Sequence, residues 1–449
     1  MDLDLSKIKK VFFVGIGGIG ISAIARLMFL EGKEVSGSDM SEGELTRELT
    51  ELGIKITIGQ GFELISTDVD LIVYTIAIPH YDPKLFEQIK NSSIPYKSYP
   101  QMLHYVTDNK YTIAVSGTHG KTTTTAMIGK MLVDAKMDPS IIVGSLLKES
   151  KSNLVVGKSN FFVVEACEYE RSFLNIKPKI LIITNIEADH LDYYKDIKDI
   201  KKAFKELILQ TAHLIIFNGQ DHNVNFIVGE YEAQDPEVGF VDYTKYLNKV
   251  PKLSVPGVHN KMNAACAIAL AEILNINEEI AQKSLAEFSG TWRRLEKKGE
   301  TKEGVIIYDD YAHHPTEIRA SLEALRELYP KGQLPEQAGK NITVLFQPHL
   351  YSRTKALFAD FVTCFDEADK VLLLPIYFAR ENPDPEVSSE KLALAIKAHR
   401  EEAAAFKDFA SAENFIGNLN LGENDVFVTM GAGEAYKVAE KVFRVVHKP

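Results

Sequence analysis

The sequence is poor in cysteine. Only Cys167, Cys266 and Cys364 occur in 449 residues, far apart and without a C-x-x-C pair. That argues against a zinc site or a disulfide framework and suits a reducing compartment. An excess of positive charge is also missing: 51 basic against 62 acidic residues leave a net charge of −11. A general nucleic-acid or anionic-membrane surface is therefore disfavoured, although a local basic pocket for a phosphorylated small molecule stays compatible. Long apolar runs are lacking too. Val11–Ala25, after Lys9 and Lys10, resembles the core of a signal peptide, but it holds four glycines and is cut by Arg26. It is too short to span a bilayer, so a cytoplasmic protein is expected. No internal repeat or low-complexity tract is present. What remains, 45% hydrophobic and 25% charged residues, is an ordinary globular composition. The length suggests about three domains.

The richest stretch is Tyr111–Ile128, YTIAVSGTHGKTTTTAMI. Tyr111–Val115 reads as a buried strand and Thr122–Ile128 as the start of a helix. Between them, Gly117-Thr118-His119-Gly120-Lys121-Thr122 is a phosphate-cradling turn. Glycine lets the backbone approach an anion, and the helix N-terminus offers unpaired N–H groups. Lys121 can reach β/γ-phosphates and the Thr122 hydroxyl can ligate Mg²⁺. Val115 stands where the longer P-loop pattern has its first glycine.

A second glycine turn lies upstream. Lys10–Val14 reads as a strand, Gly15-Ile16-Gly17-Gly18-Ile19-Gly20 follows, and Ser22–Leu30 reads as a helix. This is G-x-G-x-x-G in the context a dinucleotide fingerprint requires. Val35–Ser38 is a further strand ending in Asp39, near the spacing at which an acid meets a ribose, and Lys55–Ile58 and Leu71–Thr75 are two more. Three readings fit: NAD, another diphosphate such as a UDP-sugar, or glycines that serve only packing. The P-loop downstream favours the second, because a simple dehydrogenase has no use for one.

In the middle segment, Asn160–Val164 is an apolar strand that ends in Glu165. A carboxylate at a strand tip beside a P-loop is the usual place for an Mg²⁺-handling acid. The bland alternative is a solvated strand end. Ile180–Thr184 runs into Asn185-Ile186-Glu187-Ala188-Asp189-His190-Leu191-Asp192, a polar cluster at a sheet edge. Spacing alone leaves His190 as surface or hydrogen-bonding, since His is an unusual ligand for a hard cation. His259, Asn260 and Asn263 precede an apolar helix, Ala264–Leu274. Their amides suit an adenine edge or a helix cap equally well. Arg293 and Arg294 lie on a connector, either solvated or meeting phosphate.

The last segment repeats one arrangement. Gly304–Tyr308, Ile342–Gln347, Lys370–Pro375 and Val426–Thr429 read as strands that end in polar clusters: Asp309–Pro315, Pro348–Thr354, Ile376-Tyr377 and Gly431–Gly433. In an open parallel sheet these ends share one lip. Thr316–Leu328 reads as an amphipathic helix, and Tyr329–Asn341 and Arg380–Glu390 as loops.

Taken in order, VFFVGIGGIGISAIA, GTHGKTTTT, EACEYERSFL, TNIEADHLDYY, GVHNKMNAACAIA, FSGTWRRLE, DDYAHHPTEI and FQPHLYSRT resemble the Mur ligase family over almost the whole chain. In that family the short G-x-x-G-K-T loop is normal. The resemblance implies an α/β protein of three domains, each on a mostly parallel sheet: residues 1–107 for a UDP-sugar, 108–300 for ATP, and 301–449, Rossmann-like, for the amino acid. It implies an ATP- and Mg²⁺-dependent (or Mn²⁺-dependent) amide ligase acting on UDP-N-acetylmuramate and L-alanine, monomeric or weakly dimeric, without nucleic acid or membrane.

By position it implies that Gly117, Thr118, His119, Gly120, Lys121, Thr122 and Thr123 hold ATP phosphates. Thr122, Glu165 and His190 would handle metal. His259, Asn260 and Asn263 would face adenine, Arg294 and Arg293 the phosphates, and Asp310 the ribose side. Gly15, Gly17, Gly18, Ile19, Gly20, Ser38 and Asp39 would hold the UDP-sugar. Tyr311, His313, His349 and Arg353 would line the amino-acid and muramyl end, with His313 or His349 as the base that keeps the amine neutral, since His titrates near neutral pH without a large shift. Leu350 departs from the arginine of some members, and Lys201, Lys202 and Lys205 lie near where several relatives carry a carbamylated lysine. Two other readings stay open: the family's ligase for a recycled murein tripeptide, and an NAD-dependent oxidoreductase using Gly15–Gly20 and Asp39.

Overall fold

The computed structural model describes residues 3–232, 237–331, 339–378, 381–400 and 402–446. Apolar runs of four to six residues bounded by glycine turns form strands, and amphipathic stretches between them form helices. The result is α/β, with three sheets. The first has the order β3-β2-β1-β4-β5 and is wholly parallel. Its strands are β1 (Lys10–Val14), β2 (Glu34–Asp39), β3 (Lys55–Ile58), β4 (Leu71–Tyr74) and β5 (Tyr96–Ser98).

The second sheet comprises β6 (Tyr111–Ser116), β7 (Ser140–Leu147), β8 (Ser152–Val155), β9 (Phe161–Glu165), β10 (Ile180–Ile183), β11 (Leu214–Phe217) and β12 (Gly239–Asp242). Its order is β12-β11-β10-β6-β9-β7-β8, parallel except for β7 with β8. The third comprises β13 (Glu296–Thr301), β14 (Ile306–Asp310), β15 (Asn341–Phe346), β16 (Lys370–Leu373), β17 (Ala403–Ala405), β18 (Asp425–Met430) and β19 (Val445–Val446). Its order is β17-β16-β15-β18-β14-β13-β19, with β13 antiparallel to both neighbours.

Two compact units result. One holds residues 1–188, 196–251 and 263–286, and thus the first two sheets. The other holds residues 189–195, 252–262 and 287–449, with the third sheet. In the second unit the strand period of two is visible in the core. Val344, Phe346, Val426 and Val428 pack with Ile318, Leu322 and Leu325 of the helix Pro315–Leu328. Leu345 and Phe427 pack on the other face with Ala435 and Val438. Both faces are covered, as a parallel sheet requires. In the first sheet, Phe12, Val14, Ile72 and Tyr74 share a core with Leu85 and Ile89.

Several boundaries differ from the sequence reading. The helix expected at Ala264–Leu274 spans Val258–Ile273, so His259, Asn260 and Asn263 lie inside its first turns. The helix Ser389–Arg400 takes the last two residues of the expected loop Arg380–Glu390. Residue 380 and residues 332–338 of the two expected loops lie outside the described residues. Among the described residues, no helix is long and apolar enough to cross a membrane.

Candidate active site

Parallel sheets place ligands at the carboxyl ends of strands where the order reverses. In the first sheet that point lies between β1 and β4, and the Gly15–Gly20 turn occupies it. Gly15 has φ +75°, and a Cβ there would meet Thr75 Cγ2 at 2.5 Å. The turn spends several of its own N–H groups. Gly15 N and Ile16 N donate to Ser38 O at 2.8 and 3.1 Å, and Gly17 N donates to Asp39 Oδ2 at 2.9 Å. The Ser38 carbonyl and the Asp39 carboxylate therefore brace the turn. The anion donors left are the first-turn N–H groups of the helix Ile19–Leu30. Asn153, fully buried on β8, donates to Ile19 O and to Ser22 Oγ (2.8 Å), tying that helix to the second sheet.

In the second sheet the reversal lies around β6, flanked by β9 and β10. Gly117 (φ +133°) and Gly120 (φ +81°) shape the loop after β6. A Cβ at Gly117 would stand 2.0 Å from Thr184 Oγ1 and 3.0 Å from the Asn185 backbone N, so nothing larger fits. Asn185, just after β10, anchors the loop. Its carbonyl accepts from Thr118 N at 2.9 Å, its Oδ1 from His119 N at 2.8 Å, and its Nδ2 donates to His119 O at 3.0 Å. Thr118 and His119 are thus held toward residues 185–187, with Glu187 N donating to Thr118 Oγ1 at 2.9 Å. Their N–H groups face Asn185 rather than a phosphate, which corrects their expected role.

Lys121 opens the helix Lys121–Asp134. Its Nζ donates to Gly117 O (2.5 Å), Thr118 O (2.9 Å) and Glu168 Oε1 (3.1 Å). Burial alone would lower the pKa of this ammonium, but the Glu168 carboxylate, with Cys167 and Glu165 behind it, more than offsets that and holds it raised. Lys121 is therefore a fixed cation at the loop. Thr122 Oγ1 donates to Glu165 Oε1 at 3.1 Å, and Gly144 N donates to Glu165 Oε2 at 2.8 Å. A hydroxyl and a carboxylate side by side are hard oxygen donors, the chemistry Mg²⁺ takes. Thr123 follows on the same helix. Asn263 Oδ1 accepts from Thr124 Oγ1 at 3.1 Å and lies 2.7 Å from where a Gly120 Cβ would be. Asn263 thus backs the loop.

The third sheet gathers the other predicted residues at the ends of β14, β15 and β18. Arg353 donates from Nε (3.0 Å) and Nη2 (2.9 Å) to Asp189 Oδ1. Burial alone would raise the Asp189 carboxyl, but Arg353, with His190, His313 and His314, holds it well below the usual carboxylate range. His190, at φ +53°, follows Asp189 in the same unit, with its Nε2 3.8 Å from Asp189 Oδ2. Arg353 Nη1 donates to His349 Nδ1 at 3.3 Å, and the His349 ring stacks on Tyr377 with centroids 5.4 Å apart. A guanidinium only donates, so His349 carries its proton on Nε2. Leu350 is buried at φ +73°, at the N-cap of the helix Tyr351–Ala356.

His313 Nδ1 donates to Tyr311 O at 3.0 Å. Burial pushes its pKa down to about 4, despite Glu317 nearby. It is neutral at pH 7 and a weak base, which corrects the expectation of an unshifted histidine. His259 is likewise pushed down to about 4 by burial, and Asn260 Nδ2 donates to Pro256 O at 2.6 Å.

Two further expectations are corrected. Arg293 was grouped with Arg294 as a phosphate contact, but its side chain is buried and turned inward. Nε donates to Asp309 Oδ2 (2.8 Å), Nη1 to Gly433 O (3.1 Å) and Nη2 to Gly431 O (2.8 Å). It fastens the lip of the sheet. Arg294 is more open, stacked over Tyr311 at 5.2 Å. Asp310 is 3% exposed and accepts from Ser321 Oγ and from Ala312 N (3.3 Å) rather than facing outward. Lys201 Nζ donates to Asn223 Oδ1 (3.2 Å) and Lys205 pairs with Glu230, while Lys202 is exposed. Glu168, Asn185 and Asp189 were missed, although each lies within a quoted motif. Only loop packing reveals what they touch.

A glycine turn for one diphosphate, a P-loop with its hydroxyl–carboxylate pair, and a third sheet whose lip carries Arg and His are the parts of an ATP-dependent ligase. Three family models match in that order: Mur ligase family, catalytic domain, at residues 10–111; Mur ligase middle domain at 115–250; and Mur ligase, glutamate ligase domain at 293–433. The chain belongs to the Mur ligase family. It is 41% identical to a UDP-N-acetylmuramate–L-alanine ligase of Clostridium kluyveri, over 98% of this chain and 99% of that one. It is 39% identical to the protein of that name from Clostridium perfringens, with the same coverage. A crystal structure of UDP-N-acetylmuramate-alanine ligase from Thermotoga maritima matches with a TM-score of 0.77 at 28% identity, over 96% of this chain and 98% of that one. A murein peptide ligase of Psychrobacter arcticus shares the fold, with a TM-score of 0.70 at 20% identity over 97% and 98%.

Proposed function

We propose that the chain joins L-alanine to the lactyl carboxylate of UDP-N-acetylmuramate at the expense of ATP, in the cytoplasm where both nucleotides are made. The observation that carries the reading is Lys121, a buried ammonium fixed on the Gly117 turn beside the Thr122–Glu165 pair. It shares a compact unit with the Gly15–Gly20 turn. A carboxylate is a poor acyl donor because oxide is a poor leaving group. Its attack on the γ-phosphorus releases ADP and makes an acyl phosphate. The alanine amine then attacks the acyl carbon, and phosphate departs with the C–O electron pair.

Both steps concentrate negative charge, so the protein's task is to supply cations and positioned N–H groups. Lys121 does so at the β/γ-phosphates and Arg294 is a further phosphate contact; Thr122 and Glu165 would hold Mg²⁺, which neutralises phosphate charge when bound, and His190 is a further metal candidate. Gly120, Lys121 and Thr122 offer the helix-terminal N–H groups. Tyr311, His349 and Arg353 line the amino-acid end. His313 and His349 are the candidates for the amine's proton, and His313, whose Nδ1 hydrogen is held by Tyr311 O, keeps its Nε2 lone pair open for it. Residues 1–107, 108–300 and 301–449 divide the work among sugar nucleotide, ATP and amino acid.

The test is phosphate release measured with each substrate omitted in turn. Release that needs both UDP-N-acetylmuramate and L-alanine supports the reading. Release indifferent to the amino acid defeats it, and preference for a murein tripeptide over alanine in competition moves the chain to the family's recycling ligase.

A further inference from the structure

Tyr99 belongs to none of the motifs quoted above. It is the first residue of the helix Tyr99–Thr107, whose N-cap Ser98 and Gln101 form a capping box. The ring comes down on the glycine turn of the first sheet. A Cβ built on Gly20 would stand 2.5 Å from Tyr99 Cζ and 2.8 Å from its Oη, so Gly20 is required for this approach. Glu165 and Cys167, at the end of β9, are within electrostatic reach of the phenol. A tyrosine hydroxyl is neutral at pH 7 and can donate one hydrogen bond. Among the described residues no hydrogen-bond partner takes it, although a half-buried tyrosine hydroxyl ordinarily has one.

We infer that Tyr99 is a substrate-positioning residue: its ring carries the sugar, and its hydroxyl donates to an oxygen of the sugar acid. This rests on the function proposed above. A substrate with a diphosphate at one end and a carboxylate at the other must place the first on the helix N-terminus at Ile19-Gly20. The second must reach the phosphates beside Glu165. Tyr99 lies against the first place and within electrostatic reach of Glu165 at the second, within one unit whose two sheets Asn153 ties together. Whatever joins the two ends passes over it. An aromatic face suits the C–H face of a pyranose, and a neutral donor suits a carboxylate or hydroxyl oxygen without repelling a diphosphate. The Ser38 carbonyl and Asp39 Oδ2 are engaged by the turn itself.

The test compares Tyr99→Phe with wild type in two assays. In steady state, Tyr99→Phe raises the KM for UDP-N-acetylmuramate about tenfold, the value of one hydrogen bond, while the KM values for ATP and L-alanine stay within about twofold. In calorimetric titration with UDP alone, which lacks the sugar acid, the two proteins bind equally. Tyr99→Leu, which also removes the aromatic face, raises the KM further. Unchanged KM in Tyr99→Phe overturns the assignment. So does an equal loss of UDP affinity, because Tyr99 would then support the glycine turn rather than the sugar. If wild type itself releases no phosphate with UDP-N-acetylmuramate and alanine, it is the proposed function that fails. If the chain turns over another UDP-linked acid with the same Tyr99 dependence, the positioning role stands.

Discussion

Replacing Asp310 with Asn is expected to stabilise the third-sheet unit at neutral pH and to leave it little changed in acid. Asp310 closes β14 with its carboxyl almost wholly buried, at 3% exposure. Burial raises its pKa from 3.8 to about 6; Ser321 and Arg294 act the other way, and Glu317 adds to the rise. The folded pKa lies above the unfolded one, so the fold holds the extra proton between them. The stabilisation is complete below about pH 4 and is lost as pH rises through about 6. At roughly 1.4 kcal/mol per pH unit, the full loss is about 3 kcal/mol. Asn is isosteric, never ionises and loses nothing.

The difference between variant and wild type should therefore widen by about 3 kcal/mol from about pH 4 to pH 8. For a unit of this size that is a Tm gap of roughly 10 °C, at about 2–4 °C per kcal/mol. Any change in the bond to Ser321 is a constant offset. His259 and His313 titrate alike in both proteins. Scanning calorimetry across that pH range reads it directly. Parallel Tm curves, or a wild type that gains on the variant as pH rises, would refute the reasoning. Activity is expected to move oppositely, since the ionised carboxylate attracts Arg294, an instance of stability traded for function.

The remaining predictions are simpler. Lys121→Ala should abolish amide formation while UDP-sugar binding, measured by titration, stays within a few-fold; near-normal turnover would remove the P-loop from the mechanism. Gly117→Ala should cost ATP affinity at least tenfold, because the new Cβ cannot avoid Thr184 Oγ1 and the Asn185 backbone; unchanged binding of an ATP analogue would contradict that. Asn185→Ala removes two side-chain bonds from the loop and should weaken ATP binding about tenfold without touching UDP binding. With both His259 and His313 held near pKa 4 by burial, the unfolded chain binds more protons than the fold below about pH 6.5. The third-sheet unit should therefore lose stability as pH falls from there toward 4, and His313→Gln should shallow that slope in an acid titration followed by circular dichroism.

The sequence by itself determined the local pieces. Apolar strand runs, glycine turns with positive φ and helix starts are short-range physics, so Lys10–Val14 and Lys55–Ile58 were legible to the residue, and Gly117, Gly120, Lys121, Thr122 and Glu165 could be named from spacing. The ordered motifs also carried the family, since each phosphate-handling turn must keep its residue types. What a polar side chain touches was decided only by tertiary structure. Adjacent Arg293 and Arg294 look equivalent in sequence, yet β18 brings Gly431 and Gly433 to Arg293 and consumes its donors. Asn185, Asp189 and Glu168 stood inside legible motifs, but their partners lie 66, 164 and 47 residues away. His313 reads in sequence as an unshifted histidine, and burial sets its pKa lower. Hydrogen-bond satisfaction and desolvation depend on neighbours that the fold supplies, and no window of sequence contains them.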